Sequence, residues 1–235
     1  MTARERMTLE TFVVAARRVA TPIVAVASPD QAKTVERVRA VLEAPTAKTA
    51  IPVFRWDAMD GVTPLNPVAK AALKSLLAGG DPPASEDDWP GLTANPAAAL
   101  GLMARFPGEV REGNDPKGKL IQRGSVTFMM NAQRFFEDRS GVQNGQVLQG
   151  IWNLRDAYKA DRRTLVILGP AFKFPPEIAQ DVIEYDEPYP DDAELRDIAL
   201  RVVVEAGFDK LPDSVVDQVI DATTGLAAYT AEQVV

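Results

Sequence analysis

The chain has 235 residues, no cysteine, no histidine and a formal charge of −7. That length suits one α/β domain with a small appendage. The missing residue types exclude disulfides, thiolate or imidazole metal sites, and Ser-His-Asp or cysteine nucleophiles.

Residues 9–19 have the spacing of an opening amphipathic helix. Residues 22–27 (PIVAVA) are a short β-branched run, the pattern of a buried parallel strand. Ser28 then reads as a helix cap with Pro29 at the first helical position. The helix QAKTVERVRAVLE puts Val35, Val38, Val41 and Leu42 on one face. PVFRW at 52–56 is the next strand, closed by Asp57 and an MDG turn, and 66–78 is helical. Trp56 is expected to pack at its strand end.

Residues 79–94 (GGDPPASEDDWPGLTA) are polar and rich in Gly and Pro, so they read as a loop or insertion. Glu86, Asp87 and Asp88 within it read as solvated rather than as a metal cluster. A helix follows at 95–105, then a turn-rich hairpin or loop at 108–124, then the buried strand SVTFMM at 125–130. A helix at 146–159 and strands at 165–168 and 182–186 complete the alternation, which implies a doubly wound parallel sheet. From Asp191 only helical periodicity remains: Ile198, Val202 and Val203, then Val215, Val216, Val219 and Ile220. The expected division is a core over 1–190 and a helical subdomain over 191–235.

Charge is unevenly placed. Residues 175–235 carry 15 acidic and 3 basic side chains, and residues 1–174 carry 18 acidic and 23 basic. A mildly basic body joined to a strongly acidic tail suits head-to-tail pairing, although charge blocks are also ordinary solvated surface. The chain lacks a dense Lys/Arg stripe, so no nucleic-acid partner is indicated. No apolar run approaches the ~20 residues of a membrane span. The opening MTARERMTLETF also lacks a signal-peptide core, so a cytoplasmic protein without a membrane partner is expected.

Gly113-Asn-Asp-Pro-Lys-Gly118-Lys119-Leu120 nearly spells a phosphate loop, G-x-x-x-x-G-K-[ST]. Leu120 replaces the magnesium-binding hydroxyl, Pro116 removes a backbone donor, and the next strand arrives before a helix could form. Gly113, Gly118 and Lys119 are therefore read as a decoy on a basic loop. In a doubly wound nucleotide-binding sheet the phosphate site follows the first strand. There the chain reads Ala27-Ser28-Pro29-Asp30-Gln31, without glycine or lysine, and Asp30 would repel phosphate at the helix N-terminus. The strand SVTFMM ends in Asn131-Ala132 where a magnesium-orienting Asp and a water-activating Glu would be needed. Gln133 alone does not replace them.

These pieces, in order, resemble the N-terminal module of bacterial and plastid AAA+ ATPases that carry a degenerate AAA domain ahead of an active one. The resemblance rests on residues 21–28 with the following helix, Val53-Phe-Arg-Trp56-Asp57-Ala-Met-Asp-Gly61, and Asn95-Pro96-Ala97-Ala98-Ala99-Leu100. Further along it rests on residues 126–136, Leu154-Arg155-Asp156 with 163–170, Pro175-Pro176-Glu177-Ile178, 188–194, and Gly225-Leu226 to Val235. Asn131 stands where the family usually has an aspartate, and 79–94 and 107–124 look like extra loops.

The resemblance implies a RecA-like, P-loop-NTPase-type sheet followed by a small helical lid. It also implies a sensor residue where Gly169 stands and an arginine finger where only Lys173 occurs. The expected function is a non-catalytic AAA+ module serving assembly or substrate docking in an ATP-driven oligomer, its client unidentified. No catalytic, metal or cofactor-binding residue is expected here; ATP and magnesium are expected only in an active domain after Val235. Arg155, Asp191, Asp192, Glu194 and Asp197 are the interface candidates for head-to-tail self-association into a ring or filament. A stand-alone scaffold that kept the fold is the alternative, and an ATPase with non-standard motifs a third reading. The chain stops within the helix at 230–235, so the lid looks truncated, as a fragment or a shortened relative would be.

Overall fold

Thr8 opens the first helix, α1 (Leu9–Arg18), by accepting a bond from the Thr11 amide. The helix buries Leu9, Phe12, Val13 and Ala16. The computed structural model describes residues 7–44, 49–79, 85–137, 142–208 and 212–235. After α1 come β1 (Ile23–Ala27), α2 (Gln31–Leu42), β2 (Val53–Asp57), β3 (Gly61–Pro64) and α3 (Pro67–Ala78). Then follow α4 (Trp89–Thr93), α5 (Pro96–Met103), β4 (Val110–Arg111), β5 (Leu120–Gln122), β6 (Val126–Met129) and α6 (Arg134–Glu137). The chain continues through α7 (Val142–Ala160), β7 (Thr164–Gly169), α8 (Pro176–Ala179), β8 (Val182–Asp186), α9 (Asp192–Glu205), α10 (Asp213–Thr223) and α11 (Ala228–Val234).

The main sheet has the order β3-β2-β6-β7-β1-β8. All its pairings are parallel except β2–β3. Alternate residues of each inner strand point to opposite faces, which gives two cores. Ile23, Phe54, Trp56, Met129, Leu165 and Ile167 meet α3, α5 and α7 on one face. Val24, Val26, Val53, Phe128, Val166 and Leu168 meet α1 and α2 on the other. This is the expected doubly wound sheet. The helices α9, α10 and α11 close a separate small core around Leu195, Ile198, Val216, Ile220 and Ala231.

The sequence reading needs correction in three places. The cap of α2 is Asp30, whose carboxylate accepts from the Lys33 amide at 3.1 Å; Ser28 instead accepts from the Asp30 amide at 3.0 Å, one step earlier. The described part of 79–94 is not all loop: a 3-10 turn at Glu86–Asp88 leads into α4, which buries Trp89 and Thr93. The Thr93 carbonyl accepts the Trp56 indole N–H at 2.8 Å, and its hydroxyl accepts the Val62 amide at 2.8 Å. Gly61 has φ +64, and a Cβ there would lie 2.3 Å from the Thr93 hydroxyl, so the turn before β3 requires glycine. Lastly, β3 adds an antiparallel edge strand that the sequence reading did not separate from the turn.

A buried arginine ties the α5 end of the molecule to β7. Arg163, 5% exposed at its side chain, donates to the carbonyls of Ala104 at 2.9 Å and Phe106 at 3.1 Å. It also reaches the Met103 carbonyl at 3.3 Å and the Asp161 carboxylate at 2.7 Å, and its guanidinium lies 4.5 Å from the Tyr158 ring centre. The last carbonyls of a helix lack intrahelical partners, and Arg163 supplies them here.

Candidate functional site

In open α/β sheets, ligands sit outside the carboxyl ends of the strands at a switch in strand order. Here β1 lies between β7 and β8, so its carboxyl end and the turn into α2 mark that place. A cleft of about 180 Å³ opens there between the core and the lid helices, lined by Ser28, Asp30, Lys33, Arg37, Glu187, Glu194, Asp197, Ile198 and Arg201 among others.

The turn after β1 is closed by its own side chains. The Ser28 amide donates to the Gly169 carbonyl at 2.9 Å, and its hydroxyl lies 2.6 Å from that of Thr34. The first turn of α2 is capped by Asp30, so a carboxylate already stands at the helix N-terminus. Gln31 reaches across to the end of β6: its side-chain amide donates to Asn131 Oδ1 at 3.0 Å and its Oε1 accepts the Asn131 amide at 2.9 Å. Asn131 sits at φ 52, a left-handed conformation that asparagine tolerates better than most residues. Gln133 is buried beside Gly169, where a Cβ would come within 2.6 Å of its Oε1.

The cations that line the cleft among the described residues are all engaged. Lys33 pairs with Glu36 at 3.1 Å, and Arg201 pairs with Glu232. Arg37 pairs with Glu10 at 2.8 Å and with Glu187 at 2.9 Å. Burial opposes the charge of Glu10, but the bonded Arg37 guanidinium holds its carboxyl below the usual range. Burial likewise opposes the charge of Arg37, and Glu10 outweighs it, holding the guanidinium above its ordinary value. Glu187, 7% exposed at its side chain, also accepts the Thr34 hydroxyl. Its amide bonds the Ala27 carbonyl at 2.8 Å, so the segment leaving β8 for the lid is pinned to the β1–α2 turn.

The residues named from sequence are dispersed. Gly113, Gly118 and Lys119 belong to the antiparallel β4–β5 hairpin, not to a strand–loop–helix; a Cβ on Gly118 would meet the Glu112 carbonyl at 2.3 Å. Asp191 and Glu194 cap α9 reciprocally, with bonds of 2.9 and 3.2 Å. Asp192 is exposed in the first turn of that helix, and Glu194 and Asp197 line the cleft. Arg155 is bonded within the chain to Asp181 at 3.0 Å and lies 5.0 Å from the Trp152 ring centre. Sequence reasoning missed Glu187 and Arg37, which lie 150 positions apart. The one signal was an acidic residue directly after the last strand and before Pro188 and Pro190.

No curated protein sequence matches the chain. Its fold matches domain III of the replication initiation protein DnaA from Thermotoga maritima with TM-score 0.50 at 10% identity, covering 99% of this chain and 87% of that one. It matches a FIGL-1 AAA domain, solved with ADP, with TM-score 0.51 at 11% identity, covering 96% of this chain and 65% of that one. At such identities the likeness is one of fold. Residues 8–186 match a family described as "SpoVK-like AAA ATPase, N-terminal domain". With three quarters of its length in that match and a sheet and helical subdomain of AAA type, the chain belongs to the SpoVK-like AAA ATPase N-terminal domain family.

Proposed function

We propose that this AAA module is non-catalytic and serves assembly or substrate docking in an ATP-driven oligomer. The observation that carries the reading is the reciprocal Gln31–Asn131 bond, which spans the place where triphosphate and magnesium would have to lie. A magnesium-bound triphosphate needs free backbone donors, an unpaired cation and an acidic metal ligand. The cleft offers a capped helix start and paired cations, and the end of β6 bonded to Gln31 offers only a neutral amide, so these residues do not fit that ligand.

Calorimetry on the 235-residue chain is expected to detect no micromolar, magnesium-dependent ATP binding, and Lys119→Ala to change nothing. Saturable micromolar binding would overturn the reading.

The assembly half rests on charge. Asp192 and Asp197 are both exposed on α9, Asp197 along the lining of the cleft, and this acidic lid surface could meet the basic body of a second copy. Such a heterologous contact closes a ring or propagates a filament. Exposed pairs contribute about 0.2–1 kcal/mol each and are screened over ~8 Å at physiological salt. Sedimentation is expected to show weak self-association that fades with salt and with Asp192→Lys/Asp197→Lys. A monomer at every salt and protein concentration would remove this half of the proposal.

A further inference from the structure

A second and larger cavity, about 490 Å³, opens at the other end of the sheet, at the amino ends of β2, β6 and β7. Among the described residues, five guanidinium groups line it, from Arg17, Arg18, Arg111, Arg123 and Arg162, against one carboxylate, Glu109. We propose that this pocket is an anion site for a small molecule carrying two or more phosphate charges.

The arginines are fixed mostly by neutral groups. Arg17 donates to the Gly124 carbonyl at 2.9 Å, and Arg111 to the Gly118 carbonyl at 3.1 Å. Arg162 reaches the Arg18 carbonyl at 3.4 Å. Glu109 is shared, 2.8 Å from Arg111 and 3.8 Å from Arg162, and cannot neutralise both. The described lining therefore carries four positive charges in excess. The Arg123 Nε is buried and has no hydrogen-bond partner among the described residues. Burial, reinforced by the Arg123 charge, pulls the Arg17 guanidinium down to about 10. It remains charged at neutral pH, so the repulsion persists. A cluster of like charges held together in one concavity is costly, and an anion placed among them relieves it.

The chemistry of the ligand follows from the donors and the walls. Guanidinium forks match phosphate oxygens two at a time. Val14, Leu42, Ile51 and Leu120 add an apolar lining, and the volume lies within the ~300–1,000 Å³ typical of small-molecule pockets. A concavity of this volume, with its guanidinium groups converging on one space, suits a compact ligand. The β4–β5 hairpin, which supplies Arg111 and Leu120, thereby becomes a wall of the site.

Calorimetric titration of inorganic pyrophosphate into the 235-residue chain tests it. One saturable site is expected, weakening as salt rises from ~50 to ~200 mM. Arg123→Ala with Arg162→Ala should weaken it roughly tenfold or more, and Lys33→Ala, in the other cleft, should leave it unchanged. If the double variant does not fold by circular dichroism, Arg18→Glu at the exposed end of α1 replaces it, with the same loss expected. Citrate provides the carboxylate arm and should bind more weakly. No heat at millimolar pyrophosphate, equal affinity in the variants, or citrate binding as tightly would each overturn the phosphate site. Loss of salt-dependent self-association in the double variant, with no pyrophosphate binding, would assign the pocket to an acidic segment of another copy and overturn it too.

Discussion

Arg163→Ala is expected to lower the unfolding free energy by about 2–4 kcal/mol, chiefly because buried carbonyls would lose their donor; the Asp161 carboxylate, a third exposed, adds less. The substitution would strand the Ala104 and Phe106 carbonyls and leave Asp161 without its 2.7 Å partner. It would also remove the cation over Tyr158, whose hydroxyl burial already holds strongly against ionisation. Against a typical total of 5–15 kcal/mol, that is a large share. Arg163→Lys should recover only part, because one ammonium cannot serve carbonyls of two successive turns and a carboxylate together. The midpoint of urea denaturation, at constant slope, reads the effect. A midpoint indistinguishable from the parent would mean that water replaces the guanidinium and that α5 does not need it.

Arg37→Ala should cost about 2–4 kcal/mol at neutral pH, chiefly because the buried Glu187 would lose its cation. The Glu10 share is smaller, since both partners of that pair are about a third exposed (31%). The sign with pH is fixed. Glu10 has its folded-state value lowered from 4.5, so its contribution is present above that value and is lost as pH falls through the lowered one. The gap between parent and Arg37→Ala should therefore be widest near neutrality and narrow in acid. Combining Arg37→Ala with Glu187→Gln should restore part of the stability, because the stranded charge is gone. A gap independent of pH, with no gain in the double variant, would show that Arg37 acts through its aliphatic stem alone. Because Glu187 leads from β8 to α9, the same substitution should loosen the lid, detectable as faster amide exchange in the lid helices.

The central strands β1 and β7 were legible because each is a continuous apolar run buried on both faces, as PIVAVA and TLVIL show. The edge strand β3 was not, since GVTP is short and ends in proline. The helix α4 was hidden by its own letters: WPGLT carries Pro and Gly, and only the burial of Trp89 against the sheet makes it helical. The closure of the carboxyl-end cleft was half legible. Asp30 and Asn131 could each be read as poor partners for phosphate or magnesium. That Gln31 would bond Asn131, 100 positions away, depends on β7 pairing with both β1 and β6 and bringing their carboxyl ends together across it. The arginine pocket was not legible at all. Its members are scattered from 17 to 162 and converge only because the sheet brings several strand beginnings to one end.

Both borders of the main sheet are short and guarded. On one side β3 spans four residues and closes on Pro64, which has no amide to offer a newcomer. On the other, β8 exposes Ile183 but follows it with Glu184 and ends at Asp186, so a strand laid alongside would meet carboxylates. The molecule is thus poorly suited to joining copies by continuing its sheet. Any higher-order structure it enters must be built through side-chain surfaces, which keeps reversible association separate from the route to fibrous aggregation.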